Sequence, residues 1–341
     1  MNTATATPLY GSDEAGLVCG YVFSPGGCGR PVTSAEATAW LRDASSQEGR
    51  EFIWLHFNAA HVATEKWLRA HLDLSEVFFE ALREGSRSTR IEHADGTLIA
   101  VLNDVIYDFA FAESSQVSTL WLSVDAHRLI SVRRQPLRSL DRLRVAVKGG
   151  EPFPSPLALF VHLLHDQSDV LTQIVRNTTA KVNDIEDHFL SERLELKRAD
   201  LGSLRRDLVR LQRLLAPEPA ALFRLLNRPP AWMQEEETLE LRQSSEEFSV
   251  AIRDMTGLQE RIKLLQEEIA TRVSQQTNRS VFVLTAVTVL ALPINMIAGL
   301  FGMNVGGVPL AQHSHGFWIV VALVMAFTAL VGWIAFRKRV G

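Results

Sequence analysis

The chain has 341 residues, more than one hydrophobic core comfortably organises, so two or more structural units are expected. A formal net charge of −4 offers no basic surplus, and no nucleic-acid partner is expected. Two cysteines, Cys19 and Cys28, without a second pair or a nearby histidine, do not complete a tetrahedral zinc site and read as free thiols.

The opening stretch MNTATATPLYGSDEAG has no basic start and no apolar run, so it does not read as a signal peptide. Residues 1–150 then read as an α/β domain. The segments 17–23, 51–57, 97–109, 117–124 and 128–134 are rich in β-branched and aromatic residues and predict strands. The segments 34–44, 61–71 and 75–85 predict helices, the first with Ser34 near a capping-box start and the last ending at Gly85. Strands interleaved with helices argue for a sheet covered by helices.

Three prolines in GGEPFPSP, 149–156, predict a break, after which the chain turns helical. Residues 151–230 read as long antiparallel helices. One is over 157–190, with an apolar stripe that Gln167 interrupts, and one is over 197–215, with Leu201, Leu204, Leu208, Leu211, Leu214 and Leu215 on one face. APEPA at 216–220 and RPP at 228–230 read as interruptions. A stalk helix over 231–279 follows and meets an apolar segment without a breaker. Such a helix needs neighbours, either the two preceding helices or copies of itself.

Residues 280–301 and 317–336 contain no charged residue, and each is long enough to cross a bilayer as a helix. Arg272 and Arg279 precede the first span, and Arg337, Lys338 and Arg339 form a basic tail at 337–341. The loop over 302–316 carries no Lys or Arg. The positive-inside rule therefore puts both termini in the cytoplasm and the loop outside. Within the first span, Asn278, Val281, Leu284, Thr288, Leu292, Asn295 and Gly299 fall on one helical face that mixes amides, a hydroxyl, leucines and a small residue. Such a face suits an aqueous pore with hydrophobic constrictions, or helix packing through Gly299 and a hydrogen-bonding Asn295. Two helices cannot enclose a pore, so conduction requires a ring of subunits, with the second span on the lipid side.

Gly302-Met303-Asn304, directly after the first span and ahead of a second span and a basic tail, resembles the CorA family of divalent-cation transporters. The stretch GLFGMNVGGVP, 299–309, with WLHFN (54–58), GSRSTR (85–90) and RPPAWM (228–233), is similar to its ZntB branch of zinc transporters. The resemblance implies a homopentameric funnel in the bacterial cytoplasmic (inner) membrane, a multi-pass protein with a cytoplasmic α/β domain, a stalk and a pore lined by the first span. It implies that Asn304 offers a ring of amide oxygens to a hydrated cation, that Gly302 lets the chain turn and that Met303 supports the turn. It implies zinc as the transported ion, proton-linked movement and no cofactor.

No Cys, His or carboxylate stands on the candidate pore face, although zinc favours nitrogen and sulfur ligands. His313 and His315 are a candidate weak zinc site in the outer loop, or belong to a plain polar loop. His162, His165, Asp166 and Asp169, at helical spacing, are a candidate cytoplasmic metal site, or a solvated helix face. Glu235, Glu236, Glu237, Glu240, Glu246 and Glu247 could concentrate cations near the stalk by their field. There is no phosphate-binding glycine loop, GxSxG or HExxH, so an enzyme is not expected. The alternatives to a zinc transporter are a magnesium, cobalt or nickel channel of the broader family and a membrane-anchored sensor or scaffold.

Overall fold

The computed structural model describes residues 11–43, 51–85, 89–94, 96–107, 116–187, 194–303, 309–310 and 313–337. They fall into two compact units, Met1–Leu265 and Gln266–Gly341.

The first unit is built on seven strands: β1 (Leu17–Phe23), β2 (Arg30–Pro31), β3 (Phe52–Asn58), β4 (Arg90–Ala94), β5 (Thr97–Val105), β6 (Val117–Val124) and β7 (Arg128–Arg133). Their order across the sheet is β2-β1-β3-β7-β6-β5-β4. Only β3 and β7 run parallel; every other neighbouring pair among the described residues is antiparallel. Side chains alternate between the faces of a strand, so β3 sends Ile53, Leu55 and Phe57 to one core and Phe52 and Trp54 to another. Helices α1 (Ser34–Arg42), α2 (Ala63–His71) and α3 (Glu76–Glu84) supply Trp40, Leu68 and Phe78 to the first core. Helices α4 (Arg138–Lys148), α5 (Pro156–Asp187) and α7 (Pro217–Asn227) supply Leu143, Phe160 and Leu222 to the second. The sheet is therefore covered on both faces.

The Pro-rich stretch at 149–156 does not end the core. Leu157, Leu163, Leu225 and Leu241, all beyond it, are buried with the strand residues Leu98 and Leu122. The cap of α1 is Thr33 rather than Ser34. The Thr33 Oγ1 accepts from the Glu36 backbone N–H at 3.3 Å, and the Thr33 N–H donates to Glu36 Oε2 at 2.8 Å, a reciprocal capping box. The predicted strand over 97–109 ends early: β5 stops at Val105, and residues 108–109 lie outside the described set.

Helix α6 (Leu194–Leu215) leads into α7 through Ala216. The APEPA segment is therefore no loop. Pro217 stands in the first turn of α7, where its missing N–H has no helical acceptor to serve. Helix α8 runs without interruption from Glu235 to Phe301, 67 residues, joining the charged and apolar halves in one element. Pro293 sits inside it without ending it. Proline is better tolerated in an apolar span than in a soluble helix, because neighbouring groups can re-satisfy the carbonyl one turn back. Helix α9 (Gly316–Arg337) closes the described chain.

Candidate functional site

The second unit contains the apolar half of α8 and α9. Among the described residues α8 is long and apolar enough to cross a membrane, and Gly316–Leu330 is a shorter apolar helix. Ile294, Ile297 and Phe301 of α8 line a groove with Val320, Val321 and Val324 of α9. At about 100° per residue, the face bearing Val281, Leu284, Thr288, Leu292, Asn295 and Gly299 is turned roughly half a revolution from that contact. Within one chain this face is open, as is most of the apolar half of α8, Val283 and Val287 included. Val281 is 55% exposed, Leu284 69% and Leu292 62%, and no atom stands within 4 Å of where a Gly299 side chain would begin.

The polar groups on the face differ in what they have left to offer. Thr288 donates its hydroxyl to the Leu284 carbonyl at 2.9 Å, so only its oxygen lone pairs remain. Asn278 and Asn295 are exposed and have no hydrogen-bond partner among the described residues. An amide facing hydrocarbon costs free energy, so Asn295 requires water or another chain.

At the end of α8, the Gly302 N–H donates to the Ala298 carbonyl at 2.9 Å, and an added Cβ would stand 3.0 Å from that same oxygen. Met303 is 52% exposed, and Asn304 lies outside the described residues. Gly316, at the start of α9, cannot carry a side chain: its Cβ would lie 2.4 Å from the Leu310 carbonyl oxygen. His313 lines the groove between the two helices, whereas the Nδ1 of His315 meets Ser314 Oγ at 3.0 Å.

The four candidates on α5 do not converge. His162 stands between Glu151, 3.6 Å from Nδ1, and Asp166, 3.4 Å from Nε2. His165 turns instead to Glu247 at 2.9 Å, and Asp169 lies 3.9 Å from Arg142. Burial holds His162 below the usual histidine range and pushes Asp166 up to about 7, so this pair is weakly charged near neutrality. Among the described residues no group of three or more His, Cys, Asp or Glu side chains is arranged to hold a metal. Cys19 and Cys28 are free thiols, and burial pushes Cys19 up to about 11, which keeps it protonated.

The residues of WLHFN serve the sheet. Arg133 Nε donates to His56 Nε2 at 2.8 Å, which makes that nitrogen an acceptor and leaves the proton on Nδ1, 2.9 Å from Ser131 Oγ. Trp54 Nε1 donates to the same hydroxyl at 2.9 Å. Burial and the adjacent Arg133 charge keep His56 neutral.

Sequence reasoning missed a buried polar cluster where β5, α4, α5 and α7 meet. Asp104 accepts from the Ser139 hydroxyl at 2.8 Å, the Ser139 N–H at 3.1 Å and the Val105 N–H at 2.7 Å. Helix α4 has no cap from its own N-cap residue, so Asp104 supplies one from the sheet. Gln167 donates to the Asn103 carbonyl at 2.6 Å and to Glu218 Oε2 at 3.1 Å. Glu218 is fully buried, and its Oε1 has no hydrogen-bond partner among the described residues. Desolvation pushes Asp104 up to about 6 and Glu218 well above the carboxylate range, against the hydrogen bonds that favour their charged forms. The interruption of the α5 stripe by Gln167 was the available signal.

Known proteins share both fold and sequence with this chain. The family model described as CorA-like Mg2+ transporter protein matches residues 49–338. The divalent cation transporter CmaX of Pseudomonas aeruginosa is 27% identical over 329 residues, covering 96% of this chain and 97% of its own. The zinc transport protein ZntB of Yersinia pseudotuberculosis is 24% identical over 287 residues, covering 84% and 87%. The structure of full-length CmaX superposes with a TM-score of 0.80 at 27% identity, covering 96% of this chain and 98% of that one. That of the CorA magnesium transporter from Methanocaldococcus jannaschii gives 0.73 at 18% identity, covering 92% and 96%. With the match spanning the α/β portion, the long helix and the second apolar helix, the chain belongs to the CorA family of divalent-cation transporters.

Proposed function

We propose that the chain carries zinc, as a hydrated divalent cation, across the bacterial inner membrane through a homopentameric pore. In this reading residues 1–150, 151–230 and the stalk over 231–279 are cytoplasmic. Residues 280–301 and 317–336 span the bilayer, 302–316 forms the outer loop, and 337–341 returns to the cytoplasm. The observation that carries the reading is Asn295, exposed within an apolar helix and without a hydrogen-bond partner among the described residues. A ring of five copies of the α8 face that bears it would give Asn278, Thr288 and Asn295 water and leave Val281, Leu284 and Leu292 as apolar constrictions. Gly302, Met303 and Asn304 would then stand at the entrance. Neutral amide oxygens hold the water around a divalent ion without the cost of stripping it.

Zinc as cargo rests on the likeness of GLFGMNVGGVP to the ZntB branch and on the ZntB relatives. His313 and His315 would assist only by weak capture outside. A second reading, a magnesium, cobalt or nickel channel, is favoured by the lack of Cys and His, the ligands zinc prefers, on this face of α8. Flux into proteoliposomes separates the two. Zinc is expected to enter faster than magnesium or cobalt, and faster still with an imposed proton gradient. Equal magnesium and zinc fluxes would favour the second reading, and no metal flux from a verified pentamer would defeat both.

A further inference from the structure

A cleft of about 510 Å³ on the first unit lies between the end of α6, β6 and the segment after β7. It is within the size range of small-molecule sites, roughly 300–1,000 Å³. Arg134, Arg210 and Arg213 line it, and none of its lining residues among the described ones is Asp or Glu. That is unusual placement in a chain whose net charge is negative, since three guanidiniums gathered without a counter-charge among the described residues repel one another.

Each arginine has unspent donors. Arg210 and Arg213, one turn apart on α6, are exposed and have neither an ion pair nor a hydrogen bond among the described residues. Arg134 lies 5.7 Å from the Trp121 ring centroid and makes one long bond, 3.5 Å, to the Leu82 carbonyl. Arg213 stands in the last turn of its helix and Arg134 meets a carbonyl in the last turn of α3, where the dipole favours a cation, but Arg210 has no such explanation. The scaffold beneath them is fixed. Asn103 Nδ2 and Thr89 Oγ1 both donate to the Leu214 carbonyl, at 3.2 and 3.5 Å, and tie the end of α6 to the sheet. Trp121 is anchored by its Nε1 to the Ala81 carbonyl at 2.9 Å.

We propose that this cleft binds a phosphate-type oxyanion, free or carried on a small molecule. Guanidinium forks match the geometry of phosphate oxygens and bind them in pairs, and a dianion would relieve the repulsion among the three charges. The site is separate from the apolar unit and would couple the cytoplasmic domain to an anionic solute, independently of the transported metal.

Equilibrium binding of radiolabelled inorganic phosphate and of ATP to the full-length protein in detergent tests the proposal, with adenosine as the uncharged control. Saturable binding of one anion per chain is expected. The charge-preserving double variant Arg210→Lys/Arg213→Lys keeps the field but removes both forks, and it should weaken binding about tenfold. Arg206→Gln, on the same helix but outside the cleft, should leave binding unchanged. Binding of both probes supports a free anion site, and binding of ATP alone, with adenosine excluded, supports a phosphate carried on a larger molecule. Two results would overturn the proposal: no saturable binding of either probe at millimolar concentration, or equal weakening by Arg206→Gln. A change in oligomer size in the double variant, with no anion bound by the wild type, would instead assign the arginines to contacts between chains and likewise overturn it.

Discussion

Replacing Asn304 by alanine is expected to lower cation flux by about a hundredfold while leaving the assembly intact. In the proposed ring each of five amides contributes a hydrogen bond to the hydration shell. At a net worth of about 0.5–1 kcal/mol apiece, their joint loss costs roughly 3 kcal/mol, or two orders of magnitude in occupancy. The loss should fall on entry, because Asn304 follows Gly302 and Met303, at the end of α8, rather than the constrictions along it. Asn304→Asp discriminates further. A ring of carboxylates would bind the cation more tightly and release it slowly, so flux should fall although affinity rises. The measurements are metal uptake into proteoliposomes and native mass spectrometry of the same preparation. Wild-type flux from a pentameric Asn304→Ala protein would remove this residue from the entrance.

Much of the architecture was legible because it rests on local pattern. The continuity of α8 followed from a stretch of sequence with no breaker between Glu235 and the apolar run. What escaped depended on position within an element or on tertiary contact. Strand β4 reads RIEHA, with only Ile91 buried, since it is the edge of the sheet and edges carry charge to resist further pairing. Helix α4 escaped although Leu140, Leu143 and Val147 have helical spacing. Its start is capped by Asp104, thirty-five residues earlier in the chain. Two prolines concealed α7, because proline punctuates a helix interior but is welcome in a first turn. The four titratable residues on α5 share a helical spacing, yet His165 and Asp169 have different partners, Glu247 and Arg142, on other elements. Spacing alone places side chains on a face and says nothing of what other helices present to it.

The buried carboxylates give the first unit a pH dependence of definite sign. In an unfolded chain, Asp104, Asp166 and Glu218 are ionised above about pH 4–4.5. In the fold, burial raises Asp104 to about 6, Asp166 to about 7 and Glu218 well above its usual value. The folded state therefore holds more protons than the unfolded one across that window, and stability falls as pH rises through it. Asp104 alone, raised from 3.8 to about 6, accounts for about 3 kcal/mol. Glu218 has the least compensation, one hydrogen bond from Gln167, and the like charge of the neighbouring Asp104 opposes its ionisation further. Glu218→Gln keeps a carbonyl oxygen for Gln167 and cannot ionise. The full-length variant in detergent is accordingly expected to unfold at a higher temperature than wild type near about pH 8, and to lose less stability between about pH 5 and pH 8. Glu240→Gln, at an exposed position on α8, should retain the wild-type slope. An unchanged slope in Glu218→Gln would show that burial does not hold this carboxyl protonated in the fold.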